Sequence, residues 1–220
     1  MNKKIWAAIG AGIGVGIMVL LVSVLSFEPE NKTEQYNAEQ FTDSVSYSEL
    51  NSKLSDVFSS YGISMSSAIV LKEQSSIHKY CNFFESEEKQ NLVEFCTSTE
   101  LKDIEMNFLG NIHMIGPTHT PKLVLAVIQV DPFTTQLEDL KTVFTVTVET
   151  LVCDCWELEK PDGFESVDSW VDGLREFHTN DVKPHSKSKI INLENHKLQI
   201  ELTTNTEGYL WKLLVEDNLA

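Results

Sequence analysis

Four cysteines, Cys81, Cys96, Cys153 and Cys155, are the side chains of this chain whose type and spacing speak most directly to chemistry. An even count suits disulfides if the domain lies outside the cytoplasm. Cys153 and Cys155 alternate along what reads as a strand. That would put their side chains on one face with α-carbons roughly 6.5–7 Å apart, at the limit for bridging. A helix between Cys81 and Cys96 would hold that pair about 16 Å apart unless the chain doubles back. The least strained expectation therefore joins each of Cys81 and Cys96 to one of Cys153 and Cys155, at about 2–4 kcal/mol per bond. The sharper alternative makes Cys153-Asp154-Cys155 a metal or redox site, since two thiolates on one face chelate Cu(I) or Zn(II). Further metal ligands would then come from Cys81 and Cys96, or from His113, Met114 and His119. Asp154 beside the thiols raises their pKa and works against a reactive thiolate.

Other catalytic patterns are weaker. Ser86-x-x-Lys89 and Ser186-x-x-Lys189 have the spacing of some acyl-transfer enzymes but lack the accompanying motifs. The chain contains no G-x-S-x-G, H-E-x-x-H, phosphate-binding glycine loop or calcium loop, so no catalytic residue is assigned and no cofactor is expected. Enzyme activity has no support, although a triad dispersed in sequence would escape such a search.

The context of these residues is set by the amino terminus. Lys3 and Lys4 precede an uncharged apolar run from Ile5 to Phe27, and Glu28-Pro29-Glu30 comes after it. At ~1.5 Å per residue this run crosses a ~30 Å hydrocarbon core, and it exceeds the ~7–15 apolar residues of a cleaved signal peptide. The lysines orient the amino terminus to the cytoplasm. The expected organisation is a cytoplasmic tip and transmembrane anchor over residues 1–27, a polar spacer over 28–45 and an extracytoplasmic domain over 46–220. Asn31-Lys32-Thr33 places a glycosylation sequon in the spacer. The formal charge is −16, every Asp and Glu lies beyond Phe27, and Arg175 is the only arginine. Such a surface repels phosphates, which argues against nucleic acid as a partner.

Within the domain, Ser46-x-x-Glu49 fits a capping box, and Leu50, Leu54, Val57, Phe58 and Tyr61 share a helical face that ends at Gly62. A short strand is expected over Ser67–Leu71 and a second helix over Glu85–Phe95. Ile104, Met106 and Phe108 alternate within Leu101–Ile115, which together with Lys122–Val130 reads as an antiparallel hairpin. Thr142–Leu158 carries the longest strand signal, with Phe144, Val146, Val148, Val152, Trp156 and Leu158 in one parity. A helix comes after Pro161, capped by Asp162 and Glu165, with a stripe of Phe164, Val167, Trp170, Val171, Leu174 and Phe177. Lys189–Leu202 and Tyr209–Val215 form a final hairpin that closes the chain near a sheet edge. This order implies an α+β domain: a mostly antiparallel curved sheet with about three helices on one face. The expected function is a membrane-anchored, extracytoplasmic binding or structural domain of the cell envelope with a protein partner there. The alternatives are a metal- or redox-handling protein using Cys153 and Cys155, with copper or zinc, and then an anchored hydrolase.

Overall fold

The computed structural model describes residues 45–84, 86–91, 93–180 and 183–217. The expected anchor, the sequon at Asn31 and the spacer up to residue 44 lie outside the described residues. Among the described residues no helix is long and apolar enough to cross a membrane. The domain is α+β, built on one unclosed antiparallel sheet. Its strands are β1 (Ser64–Met65), β2 (Ile69–Leu71), β3 (Phe95–Lys102), β4 (Phe108–Gly116), β5 (Leu123–Val130), β6 (His185–Lys187), β7 (Ile191–Leu193), β8 (His196–Asn205) and β9 (Gly208–Asp217). The order across the sheet is β1-β3-β4-β5-β9-β8-β6, with β2 also on β3 and β7 also on β8.

The helices are α1 (Tyr47–Ser60), α2 (Gln74–Tyr80), α3 (Glu87–Asn91), α4 (Leu137–Leu151), α5 (Trp156–Glu159) and α6 (Val167–Asn180). Alternation in the strands sends Ile112, Met114, Val124, Ala126, Ile128, Ile200, Trp211 and Leu213 to one face. There they form the main core with Leu54 and Phe58 of α1, Val143 and Phe144 of α4, and Trp170 and Val171 of α6. The opposite face carries a smaller core of Ile77, Cys81, Val93, Cys96, Ile115 and Leu123, roofed by the α2–α3 segment. Helices therefore lie on both faces, not on one.

The first helix obeys its sequence signals. Glu49 N–H donates to the Ser46 hydroxyl while Ser46 N–H donates to the Glu49 carboxylate at 2.8 Å, and Gly62 takes the left-handed φ of 76° just past the helix end. Ser46→Ala is expected to cost about 1 kcal/mol, read as a lower denaturant midpoint with unchanged slope. The hairpin of β4 and β5 and that of β8 and β9 also form as expected.

Several elements differ from expectation. Residues 142–151 belong to helix α4, not to a strand. Leu137, Leu140, Val143, Phe144, Thr147, Val148 and Leu151 recur at helical spacing, and α4 packs on the sheet, α1 and α6. Burial on so many sides adds Val146 to the apolar set, and that residue completes a false alternating row. The 3₁₀ turn and short α5 take up residues 156–163. Ile104 and Met106, 83% and 63% exposed, lie in a turn in which the Asp103 carboxylate accepts the Glu105 and Asn107 N–H groups. The strand before that turn, β3, starts at Phe95, where the expected second helix was to end, and runs through residues 96–100, for which no element was expected; of the expected helix, Glu87–Asn91 is what is helical among the described residues. The last long helix starts at Val167, where Ser166 and Ser169 exchange N–H···Oγ bonds in place of Asp162 and Glu165. Phe177 leaves its stripe at 49% exposure. Finally, β9 lies between β5 and β8, inside the sheet.

Candidate functional site

A concavity of about 610 Å³ runs between α1, the β1–β2 edge and the 117–120 loop. Because one side of α1 is committed to the core through Leu50, Leu54 and Phe58, its other side is free to be polar. Ser48, Asn51, Ser52 and Ser55 fall on that side at helical spacing and line the groove. Phe95 and Thr97 of β3 form its floor, and Met65, Ser66, Ser67 and Val70 form the sheet-edge wall. Tyr47 fixes the loop side: its ring lies 4.5 Å from Phe95 and its hydroxyl donates to the Pro117 carbonyl at 2.8 Å. Burial, with Glu94 nearby, holds that phenol well above its ordinary pKa, so it remains a donor.

Two buried threonines separate structure from candidate function here. Thr99 donates to the Asn51 side-chain oxygen at 2.8 Å, tying β3 to α1. Thr97, only 3% exposed, also lines the groove, but its Oγ1 has no partner. A buried hydroxyl without a hydrogen bond costs roughly 1–3 kcal/mol, which an incoming polar group would recover. Among the described residues no groove serine bonds to His119, the imidazole at the rim. The site thus offers hydroxyl and amide hydrogen bonding over an aromatic floor, with the Asp56 carboxylate on its α1 wall, and among the described residues it holds no nucleophile–base pair.

The structure separates the residues that sequence reasoning grouped as metal ligands. His119 is at the groove, Met114 is fully buried in the main core, and His113 is on the opposite sheet face. There His113 meets Cys81 and Cys96. Burial pushes its imidazole down to about 4, its Nδ1 is buried without a partner, and the Phe83 ring lies tilted against it at 4.9 Å.

The cysteines pair as Cys81–Cys96 and Cys153–Cys155, which corrects the crossed pairing expected from sequence. Two mistaken elements account for the difference. With the intervening helix reduced to Glu87–Asn91, the chain doubles back and brings the Cys81 and Cys96 α-carbons to 6.6 Å. With α4 ending at Leu151, Cys153 and Cys155 sit on a turn, not a strand, with α-carbons 5.2 Å apart. Joined to each other, these two thiols have no thiolate to offer a metal, although Glu194 lies beside them. A second constellation escaped the sequence. His178 Nδ1 is 2.9 Å from Ser186 Oγ and its Nε2 is 2.8 Å from Thr204 Oγ1. His178 and Ser186 are 2% and 4% exposed and among the described residues no carboxylate joins them, so this geometry ties α6 to β6 and β8 instead of presenting a nucleophile. Lys189, the partner suggested by sequence spacing, is exposed outside this cluster.

Comparison with known proteins found no matching family, no matching curated protein and no matching solved structure.

Proposed function

We propose that the chain is a binding domain of the cell envelope, tethered by its amino-terminal apolar run with the domain extracytoplasmic, and that its ligand occupies the serine-lined groove. The observation that carries this is Thr97, which lines the groove and whose buried Oγ1 has no partner among the described residues. The lining, mostly hydroxyls with one carboxylate at Asp56 to accept hydroxyl protons, suits an uncharged ligand that presents several hydroxyls and one apolar face for Phe95 and Val70, the chemistry of a neutral saccharide. The acidic surface and the single arginine agree with an uncharged ligand and count against phosphate.

The test is thermal unfolding and titration of the full chain against neutral mono- and oligosaccharides, with uncharged tripeptides as the competing class. Ser52→Trp fills the groove and is expected to abolish the saccharide shift. Thr97→Val removes the unpaired hydroxyl and is expected to weaken binding about 5–10-fold. A panel that gives no shift, or shifts unchanged in Ser52→Trp, would overturn the assignment. Protease treatment of intact cells addresses the tether separately: cleavage of the domain from outside is expected, and protection would refute the orientation.

A further inference from the structure

The α2–β3 staple contains one residue that a staple does not need. Cys81 closes α2, Cys96 is the second residue of β3, and His113 is on β4. Cys96 lies opposite Ile115 and Ser98 opposite His113, so strand register makes Cys96 and His113 diagonal neighbours on one face. Both sulfurs and an imidazole nitrogen lie within 4.8 Å of one another. Both cysteines are fully buried. His113 adds an Nδ1 that is buried and bonded to nothing, a costly arrangement that chain stapling does not explain.

We propose that Cys81, Cys96 and His113 form a site for a thiophilic closed-shell cation, Zn(II) or Cu(I), whenever the Cys81–Cys96 bond is reduced. Reduction takes two electrons from a dithiol donor: the protein S–S bond breaks, two protein thiols form, and the donor becomes its own disulfide. Cation binding then displaces both thiol protons, leaving two thiolates and one neutral imidazole as ligands. Zn–S and Zn–N bonds of about 2.3 and 2.0 Å set ligand atoms roughly 3.5–4 Å apart. The cluster reaches that geometry by parting the sulfurs and drawing the imidazole slightly inward. Two sulfurs and one nitrogen match the preference of these soft and borderline ions, and three protein ligands leave one position open. The same three residues thus act as a staple in one redox state and a cation site in the other, with the α2–β3 closure kept in both. Cys153, Cys155 and Glu194 form the rival cluster, but its carboxylate is exposed and its sulfurs are only partly buried.

The experiment uses the full chain carrying Cys153→Ser and Cys155→Ser, reduced by a dithiol that is then removed without oxygen, and titrated with Co(II) as an optical probe and with Zn(II). One Co(II) per chain with a thiolate-to-cobalt absorption band is expected, and Zn(II) should raise the unfolding temperature of the reduced protein. His113→Leu should weaken affinity at least 10-fold while its oxidised form keeps the parent circular dichroism, which separates ligand loss from misfolding. Oxidised protein should bind neither ion. Substoichiometric uptake, uptake by the oxidised form, or unchanged affinity in His113→Leu would each overturn the proposal.

Discussion

Gly110→Ala is expected to destabilise the domain by about 3 kcal/mol or more, enough to leave a large unfolded fraction in an ordinary domain of this size. Gly110 faces Leu101 of β3 on one side and Ile128 of β5 on the other. A Cβ there would land on the Val127 carbonyl oxygen and come within 2.8 Å of Ile128 Cδ1 and 2.9 Å of Ile128 Cα. Two of these three contacts are backbone, so no side-chain rotation relieves them. Nor can β5 retreat, because β9 pairs along its whole length on the far side, from Leu123–Glu216 to Val130–Tyr209. The expected result is a denaturation midpoint far below the parent, accompanied by loss of the β4–β5 amides from slow hydrogen exchange. Gly173→Ala supplies the control. Its Cβ would meet only the Phe164 ring, at 3.1 Å, and helix propensity favours alanine by about 1 kcal/mol, so little net change is expected.

The contrast between these glycines shows which parts of the fold were legible from sequence. Gly62 announced itself because a helical stripe ended just before it, and the left-handed turn at a helix end is dictated by local chemistry alone. Gly110 carries no local signal, since its constraint comes from a strand that lies beyond a turn. The same division holds elsewhere. The capping box of α1, the β4–β5 hairpin and the Val167–Leu174 part of the α6 stripe are all local patterns with one buried side, and all appear. The α4 segment failed because a helix buried on most of its circumference is apolar at period 2 as readily as at 3.6. That misreading moved Cys153 and Cys155 onto a strand and, together with the overlong helix expected over Glu85–Phe95, led to the crossed disulfide pairing. Of the groove, the polar residues of α1 are those its apolar stripe leaves over, and nothing in sequence marked them or placed Thr97 beneath them. His113 was singled out for its residue type, and only the β3–β4 register reveals that its neighbours are Cys81 and Cys96.

His178→Leu is expected to cost about 2–3 kcal/mol at neutral pH, and to flatten the acid side of the stability curve as well. The imidazole bridges three elements, accepting or donating at Ser186 on β6 and at Thr204 on β8 from its place near the end of α6. Leucine fills a similar volume but breaks both bonds. Thr204 is exposed and can turn to water, whereas Ser186 is 4% exposed and would be left with a buried, unpaired hydroxyl. Adding Ser186→Ala to His178→Leu should therefore recover part of the loss, and that coupling distinguishes a polar tie from simple packing. The direction of the pKa shift sets the pH dependence. Burial, and secondarily His185, lowers the His178 pKa below its ordinary value, so unfolding takes up a proton. Its contribution is complete above about pH 6.5 and is lost as the pH falls through the lowered folded value. His113 and His196 are also lowered and add to the same slope, while Asp139 and Glu149, raised mainly by burial, oppose it. Urea midpoints at pH 7.5 and pH 5 should accordingly converge in His178→Leu without becoming equal. A variant whose pH dependence matches the parent would show that the imidazole is as easily protonated folded as unfolded, and the tie between α6, β6 and β8 would then be independent of its charge.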